Sequence, residues 1–312
     1  MNGVSRGRYF AAVLLFCVTW SSAFPGAKLA IATSPPALFQ GVRFLATAVI
    51  LLGFALWRGD LRKPVPWGQL MVLGLLNQAG YQGLAWQGMS TVSAGLTTII
   101  ASLNPILIAV VAAPLLGERL HARKIAGLLI GFAGAVYVVR HRIVSAGEDP
   151  AGVLLVVGAL LSMVAGTLAF KRMAPQTTLP VAVGVQVASA GAVLLALGLV
   201  FEDRHAAAYG AQYWLVMAWF VVVVSIGAFL LWFWLLRTGS ASNASALHFL
   251  MPPLGLGMSW LALGERVSAS DLLGIVPIGL GIWLATRPDP AARAAMADEA
   301  PETTSQPDAC RR

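Results

Sequence analysis

Long runs of apolar residues with almost no charges recur along this chain of 312 residues, and they limit the folds that it can adopt. Most runs have about 20 residues, the length that an α-helix needs to cross the hydrocarbon core of a bilayer. Only 11% of the residues are charged, against roughly 25% in a soluble domain. The sequence therefore predicts an all-α polytopic membrane protein with ten transmembrane helices. The ten runs cover residues 9–30, 37–57, 67–88, 92–114, 122–139, 151–170, 180–200, 213–236, 240–263 and 269–286.

The charges between the runs predict how the chain is oriented. With the N-terminus inside, the inner loops hold twelve basic residues and the outer loops hold four, and an excess of Lys and Arg is typical of cytoplasmic loops. We interpret the net charge of +8 as this topology signal beside anionic lipid, not as a nucleic-acid surface. We expect both termini to be cytoplasmic, with residues 1–8 as a short N-terminal segment and residues 288–312 as a disordered tail. The expected location is the cell inner membrane.

One sequence motif occurs twice in the chain. The stretch LNPILIAVVAAPLLGERL (103–120) has a counterpart, LMPPLGLGMSWLALGERV (250–267), 147 residues further on, and the two share three leucines, a proline and an unbroken Gly-Glu-Arg triplet. The chain is therefore interpreted as two copies of a five-helix unit, residues 9–140 and 151–287. Because five is odd, the second copy must be inverted in the membrane, which is the architecture of many secondary transporters.

The repeated motif also predicts structural roles for its prolines and its charged residues. Pro105 and Pro252 each remove a backbone hydrogen bond and permit a kink in a helix. The charged pairs that follow lie at helix ends, where water solvates them, and we favour a structural loop clamp over substrate contact. These clamp residues are Glu118, Arg119, Glu265 and Arg266.

Several of these segments resemble the repeat of EamA-type transporters of the drug/metabolite transporter superfamily. The resemblance rests on the stretch 103–120 with GLLIGFAGAVYVV (127–139), on Trp20-Ser21-Ser22-Ala23-Phe24, where the family usually has Gly after the Trp, and on Arg43-Phe44. It covers residues 9–287. It implies ten helices, cytoplasmic termini, and transport or export of small metabolites such as amino acids.

Polar residues inside the runs are the candidates for a substrate site, because each is costly in the membrane without a role. The third run is the richest. Asn77 and Tyr81 are four residues apart and share a helix face, and Gln78 lies beside them. We predict that these residues bind substrate; interhelical hydrogen bonding is the alternative.

Further candidates lie in other runs. Arg43 could bind a carboxylate with two hydrogen bonds or tie helices together. His248 is the only histidine inside a run, and it could carry a proton or serve in packing. Four more residues complete the predicted substrate site, either because they flank the Pro105 kink or because they could form cavity walls; they are Ser102, Asn104, Trp20 and Trp232.

The motifs of enzymes are missing from the sequence. Neither HExxH nor GxSxG occurs, and none of the four histidines has metal-ligand spacing. We expect no enzymatic activity, no metal and no cofactor.

The expected partners are a small-molecule substrate and membrane lipid, without nucleic acid, and ten helices suffice for a monomer. The predicted function is a secondary transporter or exporter that moves a small metabolite, an amino acid or a similar organic solute, across the inner membrane by alternating access; the alternatives are multidrug efflux and, more remotely, an intramembrane enzyme.

Overall fold

The protein is helical throughout the part that the computed structural model describes, which is residues 6–92, 94–118, 120–139, 149–263 and 273–286. Five helices in this part are long and apolar enough to cross a membrane, and two shorter apolar helices span Ile100–Leu116 and Ile275–Thr286. The five long helices are Gly7–Ile31, Pro36–Trp57, Pro150–Met173, Leu179–Phe201 and Ala211–Thr238. The prediction of an all-α, multi-pass membrane protein is confirmed, whereas the count of ten spans and the inverted repeat remain predictions.

The helices follow the apolar runs closely. In chain order they are α1 (Arg6–Ser21), α2 (Ala23–Ile31), α3 (Pro36–Trp57), α4 (Trp67–Gly74), α5 (Leu84–Gly88), α6 (Ala94–Ser102), α7 (Asn104–Leu116), α8 (Ala122–Val139), α9 (Pro150–Met173), α10 (Leu179–Phe201), α11 (Ala211–Trp219), α12 (Phe229–Thr238), α13 (Ala241–Ala246), α14 (Met251–Leu263) and α15 (Ile275–Thr286). Single 3-10 turns occur at Asp60–Arg62, Arg204–Ala206 and Leu247–Leu250.

Two π-helical segments join shorter helices into continuous rods. Leu75–Gly83 joins α4 to α5, and we call the result rod A; Phe220–Ala228 joins α11 to α12 and gives rod B. A π-helical turn widens the backbone and is frequent at functional sites. In rod A it carries Asn77, Gln78 and Tyr81.

Glycines allow two helix pairs to pack at close range. Helix α3 lies along α10, where a Cβ at Gly41 would overlap the backbone of Leu195 and one at Gly198 would overlap Leu38. Helix α8 lies along α15 in the same way, with Gly127 against Gly281. Because lipid is as apolar as the side chains, such close backbone contact is what drives helices together in a membrane.

The exterior is apolar, as a bilayer environment requires. Large side chains such as Val49, Leu154, Leu215 and Phe201 are largely exposed. Polar side chains show the reverse distribution, since Arg43, Gln40 and several others are fully buried between the helices. The Arg43 guanidinium has its hydrogen-bond partners inside the bundle.

Both predicted proline kinks coincide with breaks in a helix. Helix α6 ends at Ser102 and α7 begins at Asn104, so Pro105 is the second residue of the new helix. In the other half the 3-10 turn Leu247–Leu250 precedes α14, whose second residue is Pro252. A proline in the first turn of a helix loses nothing, because the N–H groups there have no intrahelical acceptor.

Candidate functional site

A cavity of about 110 Å³ lies inside the bundle next to both helix breaks. Its wall includes residues from α2, rod A, α6 and α9 together with the segment from His248 to Pro252. A single water molecule needs roughly 10–15 Å³ on this scale. The cavity therefore has room for several waters or a small solute.

Small side chains create this space, and aromatic side chains form part of its wall. Trp20, Tyr81 and Trp86 line the cavity. Five alanines line it as well, each leaving room that a larger side chain would fill; they are Ala23, Ala27, Ala85, Ala101 and Ala159. The lining is therefore mainly apolar, with only a few polar groups to orient a ligand.

An aromatic cluster holds the imidazole of His248 at the cavity wall. The ring centroids of Trp232 and His248 are 4.9 Å apart with an interplanar angle of 88°, and those of Phe16 and Trp232 are 5.4 Å apart. Trp20 also packs edge-on against His248 at 6.4 Å. Trp232 does not line the cavity; it supports the residue that does.

The hydrogen bond of His248 determines which of its nitrogens carries the proton. Nδ1 lies 3.0 Å from the carbonyl oxygen of Ser245. A carbonyl only accepts, so Nδ1 must be protonated, and in the neutral ring Nε2 is then an acceptor. Nε2 is buried and has no hydrogen-bond partner, so it is an unused acceptor on a residue that lines the cavity.

Two more buried polar atoms on cavity-lining residues lack partners. They are Nε2 of Gln82 and Oγ1 of Thr97. Buried polar groups are nearly always hydrogen-bonded in proteins, so an unpaired one needs an explanation. Three such atoms on residues that line one cavity make this region the candidate for binding a ligand or water.

Arg43 lies behind this wall rather than in it. The guanidinium is fully buried and donates to Ser225 Oγ (2.8 Å), Gln40 Oε1 (2.7 Å) and Gln82 Oε1 (3.1 Å). It also lies 4.6 Å from the centroid of the Phe220 ring. Among the described residues no carboxylate pairs with it.

The nine predicted substrate-binding residues divide into two groups. The structure brings Trp20, Tyr81, Ser102 and His248 together at the cavity. The others are not among the lining residues, and their substrate contacts remain predictions; they are Asn77, Gln78, Arg43, Asn104 and Trp232.

Asn77 has a helix-to-helix partner. Its Nδ2 donates to Gln186 Oε1 at 3.4 Å, and Gln186 in turn donates to the Ala182 carbonyl. This arrangement matches the alternative of interhelical hydrogen bonding. Asn104 and Gln78 differ, since both polar atoms of the Asn104 side chain and Oε1 of Gln78 are buried without a partner.

Glu118 binds the start of a distant helix. Its carboxylate accepts from the backbone N–H groups of Ala241 (2.8 Å) and Ser242 (3.4 Å) and from the Ser242 hydroxyl, and Lys124 Nζ is 3.4 Å away. The positive end of the helix dipole favours an anion there. Glu118 therefore clamps its loop to α13. Arg119, Glu265 and Arg266 lie outside the described residues.

Sequence reasoning did not select Gln82 and Thr97, two of the three cavity residues that carry an unpaired polar atom. A sequence signal for Gln82 exists, because it is a polar residue one helical turn after Gln78 inside an apolar run. Gln40, three residues before Arg43, is a second polar residue in an apolar run and indicates a buried polar network. Thr97 had no comparable signal, because a threonine in an apolar helix usually bonds its own backbone.

Comparison with known proteins gives a consistent picture. The model of the EamA-like transporter family matches the chain twice, over residues 8–140 and 150–287. The "Uncharacterized transporter YvbV" of Bacillus subtilis (strain 168) is 31% identical over 296 residues, covering 95% of this chain and 97% of the relative. The "Probable amino-acid metabolite efflux pump" of Escherichia coli (strain K12) is 24% identical over 287 residues, covering 87% of this chain and 92% of that protein.

A solved structure supports the fold. A protein crystal structure with 22% sequence identity superimposes with a TM-score of 0.76, over 95% of this chain and 100% of the other. At that level of identity the likeness concerns the fold alone.

Proposed function

Because this chain belongs to the EamA-like transporter family, we propose that it moves a small organic solute, such as an amino acid, across the inner membrane through the central cavity by alternating access. The single observation that carries the proposal is the cavity itself, where three buried polar atoms without partners lie on the lining residues Gln82, Thr97 and His248. A carrier needs such a site deep in the membrane, with few polar groups and a mainly apolar wall.

The inverted repeat is part of the proposal, and symmetric helix contacts support it. A Cβ at Gly127 would meet Gly281, and one at Gly134 would meet Gly274. A shift of 147 residues turns the first pair into the second, because 127 + 147 = 274 and 281 − 147 = 134. Two similar halves in opposite orientation give two states of similar energy, each open to one side.

The predicted topology indicates which side of the membrane the cavity faces. With cytoplasmic termini and ten spans, the lining residues Met89 and Thr97 are near the outer surface, and Glu118 is at the cytoplasmic end. In this proposal the cavity faces outward, and the clamp between Glu118 and α13 belongs to the closed cytoplasmic side. We propose a monomer as the working unit, surrounded by lipid.

The chemistry of the cavity favours a solute with both an apolar part and a polar group. Trp20, Tyr81 and Trp86 would contact the apolar part. Efflux of lipophilic drugs is the second candidate, and the predominance of apolar lining residues is the observation that favours it. The named efflux relative supports export as the direction.

Uptake into liposomes tests the proposal. Purified protein reconstituted in liposomes is expected to accumulate one or more members of a panel of radiolabelled amino acids and lipophilic cations. Ala85→Trp, which fills the cavity, is expected to abolish this uptake. The matched control is Val49→Trp, on the exposed surface at 74% exposure, which is expected to retain it. Equal uptake by the native protein and the Ala85→Trp variant would refute the cavity as the transport site.

A further inference from the structure

We propose that Gln82 is a specificity-determining residue, a fixed hydrogen-bond donor that selects ligands with an acceptor, and that Arg43 is the positioning residue that fixes it. This inference rests on the proposed function, because it assumes that the cavity binds the transported solute. It adds a rule for which solutes fit. The rule follows from the directions of hydrogen bonds that lie outside the cavity.

Arg43 determines the orientation of the Gln82 amide. A guanidinium has N–H donors and no acceptor, so whichever amide atom faces it must be the oxygen. Oε1 of Gln82 lies 3.1 Å from Nη2. The amide therefore cannot turn over without placing its own N–H₂ group against the N–H groups of Arg43.

The other end of the amide is then fixed as a donor. Nε2 of Gln82 is buried without a partner, on a side chain that is only 8% exposed and lines the cavity. Gln40 accepts from Arg43 in the same way and also has an unpaired Nε2, but it does not line the cavity, so the position of Gln82 in the cavity wall is what distinguishes it. The unpaired N–H₂ group is the part of Gln82 that a ligand acceptor would satisfy.

The charge of Arg43 strengthens this selection. The guanidinium lies 4.6 Å from the ring centroids of Phe44 and Phe220, and within the described ranges no acidic side chain neutralises it. In a medium of low dielectric constant this charge acts over a longer range than in water. An acceptor at Gln82 is thus favoured most when it is negative, as a carboxylate is.

His248 gives the opposite polarity elsewhere in the same wall. Its Nδ1 donates to the Ser245 carbonyl, which leaves Nε2 of the neutral ring as an acceptor. Of the three unpaired polar atoms on the lining residues, Gln82 Nε2 is therefore a fixed donor and His248 Nε2 is an acceptor, whereas the Thr97 hydroxyl can serve as either. The solute that fits carries a carboxylate and a separate N–H or O–H donor, attached to an apolar body.

Three compounds with the same ring test the rule: L-phenylalanine (carboxylate), L-phenylalaninamide (carboxamide) and phenethylamine (neither). Their dissociation constants are measured by the tryptophan fluorescence of the full chain in detergent, because Trp20 and Trp86 line the cavity. For the native protein we expect L-phenylalanine to bind about tenfold more tightly than phenethylamine, as one hydrogen bond to a charged group implies. Phenylalaninamide is expected between the two.

Gln82→Glu is expected to reverse this order, because one carboxylate oxygen would pair with Arg43 and the other would face the ligand as an acceptor. The matched control is Gln40→Glu, which places the same charge beside Arg43 from a residue that does not line the cavity. This control is expected to keep the native order. If Gln82→Glu does not fold, Gln82→Leu removes the donor without adding a charge. For this variant we expect L-phenylalanine and phenethylamine to bind with nearly equal dissociation constants.

Arg43→Lys tests the positioning role. A lysine keeps the charge but loses the planar fork that holds Gln40 and Gln82 together. The preference for L-phenylalanine over phenethylamine is expected to fall several-fold, while the affinity for phenethylamine changes little. A variant that merely destabilised the fold would weaken both compounds equally.

The outcomes separate this inference from the proposed function. If the native protein binds the series but Gln82→Glu and Gln82→Leu keep the native order, the role of Gln82 is refuted and the carrier proposal stands. If none of the three compounds changes the fluorescence of the native protein, the selection rule is overturned, and the liposome uptake of the native protein and Ala85→Trp decides the carrier proposal separately.

Discussion

The two helix breaks both put a proline at the second residue of the helix that follows, and they differ in their side chains. At the first break, Ala101, Ser102 and Asn104 lie around Leu103; 147 residues later, His248, Phe249 and Met251 lie around Leu250. Both breaks meet the cavity, since Ala101 and His248 line it. The first break contributes space and the second contributes an imidazole held by aromatic rings. Repetition thus builds the scaffold, and the departures from repetition build the site.

Making the two breaks alike is expected to have the largest effect. Ala101→His would place a second imidazole in a cavity of about 110 Å³ and fill much of it. We expect transport in liposomes to fall more than tenfold, while the melting temperature stays within a few degrees because the space was empty of side chains. The control is Ala246→His, in the buried part of α13, which is expected to reduce stability instead. Normal transport by Ala101→His would contradict the role of the first break.

The clamp at the start of α13 is expected to contribute the next largest effect. Glu118→Ala leaves the N–H groups of Ala241 and Ser242 without their acceptor, at a cost of about 2 kcal/mol in the free energy of unfolding. Denaturant titration measures it, with Glu118→Gln as a milder variant that keeps an acceptor.

The contact between Glu118 and α13 also predicts the role of the corresponding residue in the second half. With the offset of 147 residues between the halves, Glu265 corresponds to Glu118, and Ala94, the first residue of α6, corresponds to Ala241. Glu265→Ala is then expected to destabilise the protein by a similar amount. No loss of stability would break the correspondence of the two halves at this point.

The fold was more predictable from sequence than the site, for a physical reason. Helix bounds follow from local hydrophobic length, and the predicted run 67–88 coincides with rod A. Whether a polar side chain faces a cavity or a neighbouring helix depends on packing between distant segments. Asn77 and Tyr81 share a helix face, yet Asn77 bonds Gln186 and Tyr81 lines the cavity. No local pattern distinguishes these two outcomes.

His248 is expected to contribute a moderate effect at the second break. His248→Phe keeps the ring packing against Trp232 but removes the acceptor Nε2. We expect the dissociation constant of L-phenylalanine to rise about tenfold, since the lost hydrogen bond is one to its charged ammonium group. His248→Gln keeps an acceptor and is expected to lose less. If His248→Phe binds as tightly as the native protein, the imidazole serves packing alone.

The smallest effect is expected at Asn104, where copying the second break into the first gives Asn104→Met. Both polar atoms of Asn104 are buried without a partner, and an unpaired buried polar group is destabilising. We therefore expect the free energy of unfolding to increase by about 1 kcal/mol. A transport measurement then tests whether the unpaired Asn104 side chain has a role in substrate binding. If Asn104 binds substrate, as the sequence predicts, the more stable variant transports several-fold more slowly. Unchanged transport would remove Asn104 from the site and leave Ala101 as the only functional difference tested at this break.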